Sequence, residues 1–143
     1  MCGDGRAAGG AGPALLVTET HFAAPHGLAA AGDGTLLVPD TDNDRVLRVD
    51  PATGTVSRFA DAGSPRGVDV AADGTVYVID SRDRRVLRFT AAGAPLGPLG
   101  PAFGDPYDLE LAADGAVYLL EAGRTGFVRR LAADGSVTTV SHS

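Results

Sequence analysis

The sequence predicts an all-β chain built from three tandem copies of a four-stranded antiparallel unit. Three observations predict it. A pattern recurs about every 40 residues, an Asp-Gly pair stands at the same place in every copy, and no segment of the 143 residues sustains a helical period.

The copies align as PHGLAAAGDGTLLVPDTDNDRVLRVDPATGTVSRF from Pro25, PRGVDVAADGTVYVIDSRDRRVLRFTAAGAPLG from Pro65 and PYDLELAADGAVYLLEAGRTGFVRRLAADGSVTTV from Pro106. Their opening prolines lie 40 and 41 residues apart. The first strand is expected at Leu28–Ala30, Val68–Ala71 and Leu109–Ala112, each preceded by a proline that cannot donate to a ladder. The Asp-Gly pairs at Asp33, Asp73 and Asp114 follow, the strongest short-range signal for a tight hairpin. The second strand, rich in Val, Leu and Tyr, covers Thr35–Val38, Thr75–Ile79 and Ala116–Leu120 and runs to an acid, Asp40, Asp80 or Glu121. A polar turn leads to the third strand at Val46–Val49, Val86–Phe89 and Val128–Leu131, and a turn bearing Gly54, Gly93 or Gly135 closes it. The fourth strand is clear at Thr55–Phe59 and Val137–Val140. In the middle copy APLGPLGPAFG, with three prolines, gives no clear match. The resulting organisation is a Gly/Ala-rich disordered tail at 1–13, an extra strand and lead-in at 14–24, and units at 25–64, 65–105 and 106–143.

Four antiparallel strands in about 40 residues is the arithmetic of a β-propeller blade. The period fits WD40 repeats, but the chain has no Trp. Instead DTDNDRVLRVD and DSRDRRVLRFT resemble the NHL repeat over roughly residues 25–140. The third copy departs from it, with Gly126-Phe127 in place of the Arg and one inserted residue. The resemblance implies a propeller of NHL type, a family commonly six-bladed. Because blades stack face to face, three alone leave two apolar faces in water. The chain is therefore expected either to self-associate, two copies closing a ring of six blades, or to belong to a longer propeller. The segment Ala14–Glu19 is expected to be the outermost strand of a preceding blade or to pair with a partner's edge.

Composition narrows the function classes. Formal charge is −6 at pH 7, which opposes nonspecific binding to nucleic acid or anionic membrane. No window approaches the roughly 18–20 apolar residues needed to cross a bilayer. All twelve basic residues are Arg, a usage expected from a GC-rich genome. The cluster Arg82, Arg84, Arg85 and Arg88 reads as a solvated blade edge, flanked by acids and without interleaved aromatics. Cys2 is the only cysteine, so no intramolecular disulfide forms. The opening residues lack the apolar core of a signal peptide, which leaves a cytoplasmic location as the default expectation, or an extracytoplasmic one if the natural start lies upstream.

In an up-and-down blade the start of the first strand and the end of the second share one rim. His26, Arg66 and Tyr107 are therefore expected beside Asp40, Asp80 and Glu121 as a ligand-binding rim. Asp40 is also expected to take turn amides or pair with Arg45, and Asp80 to repeat this with Arg85. Asp40, Asp42 and Asp44 alternate as D-x-D-x-D, but the Gly and Glu of a calcium loop are missing. Asp69 and Glu110 hold equivalent places on the innermost strands and are candidates for a channel cation site taking Mg²⁺ or Ca²⁺.

Pro25-His26-Gly27, with Asp40 fourteen residues after the His, resembles virginiamycin B (streptogramin) lyase. That resemblance implies His26 as general base beside a carboxylate-held Mg²⁺. A wider similarity to lactonase-like propellers does not extend to their metal set. The expected function is a noncatalytic scaffold, with no required cofactor, presenting its rim to a protein or small ligand. The alternatives are a divalent-metal-dependent lyase or hydrolase-like enzyme using His26 and Asp40, or part of a longer propeller without independent function.

Overall fold

The computed structural model describes residues 15–16, 22, 27–123 and 126–142. In them the three copies form three consecutive antiparallel sheets, and the only helical piece described is the 3-10 turn Thr41–Asn43. The first blade holds β1 (Leu15–Leu16), β2 (Ala29–Ala30), β3 (Leu36–Asp40), β4 (Arg45–Asp50) and β5 (Thr55–Asp61). The second holds β6 (Pro65–Val70), β7 (Val76–Asp80), β8 (Arg85–Phe89) and β9 (Pro95–Leu99). The third holds β10 (Pro106–Leu111), β11 (Val117–Glu121), β12 (Phe127–Leu131) and β13 (Val137–His142). In each blade four strands, β2–β5, β6–β9 and β10–β13, run in sequence order from the innermost outward, and β1 is added outside β5. The chain is an arc of a β-propeller.

Two strands needed the structure. β1 pairs with β5, Leu15 facing Val56 and Leu16 facing Thr55, so it is a fifth strand on the outer edge of its own first blade. The sequence places it on a preceding blade or a partner, and nothing in so short an apolar run specifies which open edge it takes. β9 forms despite Pro95 and Pro98, with Pro98 facing Leu87. As the outermost strand it has one unpaired side, where prolines are tolerated.

The Asp-Gly hairpins share one turn. The Gly34 amide donates to the Ala31 carbonyl at 3.1 Å, and the Ala31 amide to Thr35 at 2.8 Å. Gly34 alone among the three loop residues has positive φ, +88°. This is the three-residue hairpin loop, in which glycine takes the left-handed position. Asp33 accepts the Thr35 amide at 3.0 Å. The turns around Asp73, Asp114 and Asp134 repeat these bonds.

The core lies between blades. Side chains alternate across a strand, and β7 shows the consequence. Val76 and Val78 pack toward the first blade with Leu37, Val46 and Phe59. Ile79, with Tyr77 partly buried beside it, packs toward the third with Leu109, Val117 and Leu119. Each fully buried Val or Ile contributes about 1.5–3 kcal/mol, so the middle blade is held from both sides.

Near the axis the inner strands approach closely. A Cβ at Gly67 would lie 2.9 Å from the Leu109 nitrogen and 3.0 Å from Asp108 Oδ1. The Leu111 amide donates to Asp69 Oδ2 at 2.8 Å, a bond that links β6 to β10. Gly67→Ala is expected to force these strands apart and to cost about 1–3 kcal/mol, read as a lower urea midpoint at unchanged slope. An unchanged midpoint would contradict the close approach.

Candidate functional site at the channel mouth

The innermost strands β2, β6 and β10 line a recess of about 330 Å³, with Ala29, Asp69, Asp108 and Glu110 among its walls. Three of the six carboxylate oxygens of Asp69, Asp108 and Glu110 accept backbone amides. Asp69 accepts the Val70 amide through Oδ1 and the Leu111 amide through Oδ2. Asp108 Oδ1 accepts the Leu109 amide at 2.9 Å. Among the described residues no three His, Cys, Asp or Glu side chains converge to hold an ion. Asp69 thus serves as a strand-to-strand acceptor, while Glu110 is exposed.

At the mouth, Arg66 at the start of β6 lies over the ring of Tyr107 at the start of β10, 5.1 Å from its centroid. Such a contact is worth about 0.5–1 kcal/mol at an exposed site. It spans the joint between two blades. Arg66 Nε is shut off from solvent without a hydrogen-bond partner, and Tyr107 is exposed. His26, expected one blade earlier on the same rim, lies outside the described residues, so of the expected rim Arg66 and Tyr107 are brought together in view.

The three rim acids are placed differently from the sequence reading. Asp40, Asp80 and Glu121 are all buried, Asp40 completely. Asp80 accepts the Gly63 amide at 2.9 Å and the Asp83 amide at 2.8 Å. Glu121 accepts the amides of Gly104 and Asp105 at 2.7 and 3.2 Å, and Arg129 Nε at 2.6 Å. Asp40 accepts Arg45 Nε at 2.7 Å and Asn43 Nδ2 at 3.0 Å. Asp80 and Glu121 thus clasp the loop that leads into their own blade. Backbone amides of a lead-in loop have no side-chain signature, so the sequence showed the acids but not these partners.

The arginine partners also shift. Arg45 pairs with Asp40 as expected, whereas Arg85 Nη2 donates to the Gly100 carbonyl at 2.7 Å instead of to Asp80. In the third blade Phe127 takes the position of Arg45. Arg129, two residues on and so on the same face, reaches the longer Glu121 while lying over the Phe127 ring. Two changes that look like decay of the repeat compensate each other. Arg82, expected as part of a solvated edge, has a partner that sequence reading missed: its Nη2 donates to both oxygens of Asp44 at 2.7 and 2.9 Å. Asp44 accepts the Ser64 amide as well. The hydrogen bond from Arg82, then that from Ser64, holds the Asp44 carboxyl below its ordinary value.

No family model and no curated protein matches the sequence; the likeness is to solved structures. A gluconolactonase from Xanthomonas campestris matches at 25% identity and TM-score 0.73, over 86% of this chain and 48% of that one. Virginiamycin B lyase from Staphylococcus aureus matches at 17% identity and TM-score 0.69, over 80% of this chain and 40% of that one. A putative gluconolactonase matches at 17% identity and TM-score 0.71, over 88% and 51%. The two 17% likenesses show the fold. The chain spans about half the length of the first gluconolactonase. These propellers are enzymes, and that overturns the noncatalytic scaffold expected from the sequence in favour of its enzyme alternative.

The Glu121 clasp has a pH signature. Burial pushes its carboxyl up, but the Arg129 guanidinium and the Asp105 and Gly104 amides outweigh burial, and the net shift is downward from 4.5. A depressed native value gives stability that is present above the unfolded value and lost as pH falls through the native one. Glu121→Gln is expected to cost about 1–3 kcal/mol at pH 7 and to flatten the fall in stability below about pH 4.5. Urea melts of both proteins between pH 7 and 3 test this, and parallel curves would contradict it.

Proposed function

We propose that this chain is part of an enzyme-type propeller that opens small cyclic esters at the channel mouth. The observation that carries the reading is the 25% identity with a gluconolactonase over 86% of the chain. It is supported by a recess between the innermost strands and by the Arg66 guanidinium over the Tyr107 ring, each one residue before a residue of the recess wall. In the reaction, a general base takes a proton from water and the oxygen adds to the ester carbonyl. The ring C–O bond then breaks, and the leaving alkoxide is protonated to give a hydroxy acid.

Arg66 is the residue suited to the carbonyl oxygen. Its charge is fixed, and Tyr107 orients it before substrate arrives, so little reorganisation accompanies the developing negative charge. His26 is the candidate base through the Pro25-His26-Gly27 resemblance to streptogramin lyase, which also supports a lyase variant in which the base takes a carbon-bound proton. Asp40 enters only as a buried structural acid. Among the described residues no three His, Cys, Asp or Glu side chains converge on one point. The NHL reading of the repeat rests on its sequence motifs.

The test is acid release from glucono-lactone in a pH-stat, corrected for the spontaneous rate. Wild-type protein is expected to accelerate ring opening. Arg66→Ala is expected to lower kcat/KM about 10²–10³-fold, the cost of removing one oxyanion donor. No acceleration by wild type across five- and six-membered lactones, or full activity in Arg66→Ala, would overturn the proposal.

A further inference from the structure

Equivalent residues in the three blades have unequal surroundings, and the inequality is confined to the ends of the arc. Ile79 on β7 is 0% exposed because the third blade covers it, whereas its counterpart Leu120 on β11 is 45% exposed. Val86 is buried and its counterpart Val128 only half-buried. On the opposite face, Val68 and Leu109 are 9% and 5% exposed, each packed toward the preceding blade. Their counterpart in the first blade, Leu28, is 60% exposed. One end thus carries the Ile79 half of a joint and the other end the Leu109 half.

We infer that a second copy of this chain covers both ends, Leu120 of each protomer packing toward Leu28 of the other, so that two arcs close one ring. The internal joint between the second and third blades is the template for this contact. The likeness to a gluconolactonase covers 48% of that chain, so two arcs of this kind match nearly its whole length. A polar rung agrees as well. Asp69 accepts an amide of the following blade, and its counterpart Glu110 lies exposed on the last blade, placed to accept the Ala30 amide of the second copy. The outer part of the first blade's face is already covered, Phe22 packing with Leu47, Val49 and Val56. The uncovered part is the inner one, around Leu28. Two identical head-to-tail joints about a two-fold axis close the ring and leave no free end. The channel mouth then holds Arg66 and Tyr107 twice. This assembly stands apart from the proposed activity and is tested without it.

The experiment is light scattering coupled to size exclusion across a concentration series, with Leu28→Glu and Leu120→Arg as variants. Both positions are exposed in the single chain, so the charges leave the fold intact, which circular dichroism melts verify. Wild type is expected at twice the 14.4 kDa chain mass. Each variant alone is expected to dissociate at least about a hundredfold more readily, because each ring buries two unpaired charges. An equimolar mixture is expected to recover the dimer, since one joint then pairs Glu with Arg and the other is wild type. A monomeric or open-ended polymeric wild type would overturn the inference. So would variants that dimerise like wild type, or a mixture that recovers nothing.

Discussion

A blade is a sheet that has to be covered twice. The middle blade makes this plain, because β7 sends Val76 and Val78 to one neighbour and Ile79 to the other. The first and third blades are built to the same pattern but stand at the ends of the arc. From that requirement follow the apolar clusters between sheets, the close approach at Gly67, and the unsatisfied halves at Leu28 and Leu120. Hydrophobic burial fixes how the blades stack, and it also says that three of them are not a finished object.

Polar chemistry does a different job. In a propeller the loop leading into each blade has to be returned to the axis, and a loop amide without an acceptor there would be costly. A carboxylate at the end of the second strand provides the acceptor in the second and third blades, to Gly63 in one and to Gly104 and Asp105 in the other. The Arg82–Asp44 pair ties the corresponding turns of two blades together from outside. With these acids committed to the frame, the groups left facing the mouth are few, and the Arg66–Tyr107 stack is prominent among them. That division between frame and mouth leaves exposed side chains free for the proposed ring-opening chemistry.

The parts of this structure that were legible in the sequence are those carried by residue type at fixed spacing. Pro, Asp-Gly and alternating Val/Leu/Tyr mark strand starts, turns and faces because each has a backbone reason to be there. The blade count and nearly every strand follow from them. What was not legible depends on partners without a residue code. The acids at Asp40, Asp80 and Glu121 look like rim ligands until their burial is seen, and with it the bonds of Asp80 and Glu121 to lead-in loops. The shift of the arginine from the position of Phe127 to Arg129 looks like loss until the longer Glu121 is seen to meet it. The edge taken by β1 was undetermined for a similar reason, since backbone pairing on an open strand does not depend on which residues present it.

Ring closure joins these strands of reasoning. It covers the two end faces and completes the channel around which Arg66 and Tyr107 are displayed. The most direct test is small-angle X-ray scattering from dilute solutions of the intact chain. Closure predicts a compact two-chain particle whose distance distribution fits a ring with a central channel and does not change with concentration. A profile fitting an isolated three-blade arc, or one that lengthens into a rod as concentration rises, would contradict it.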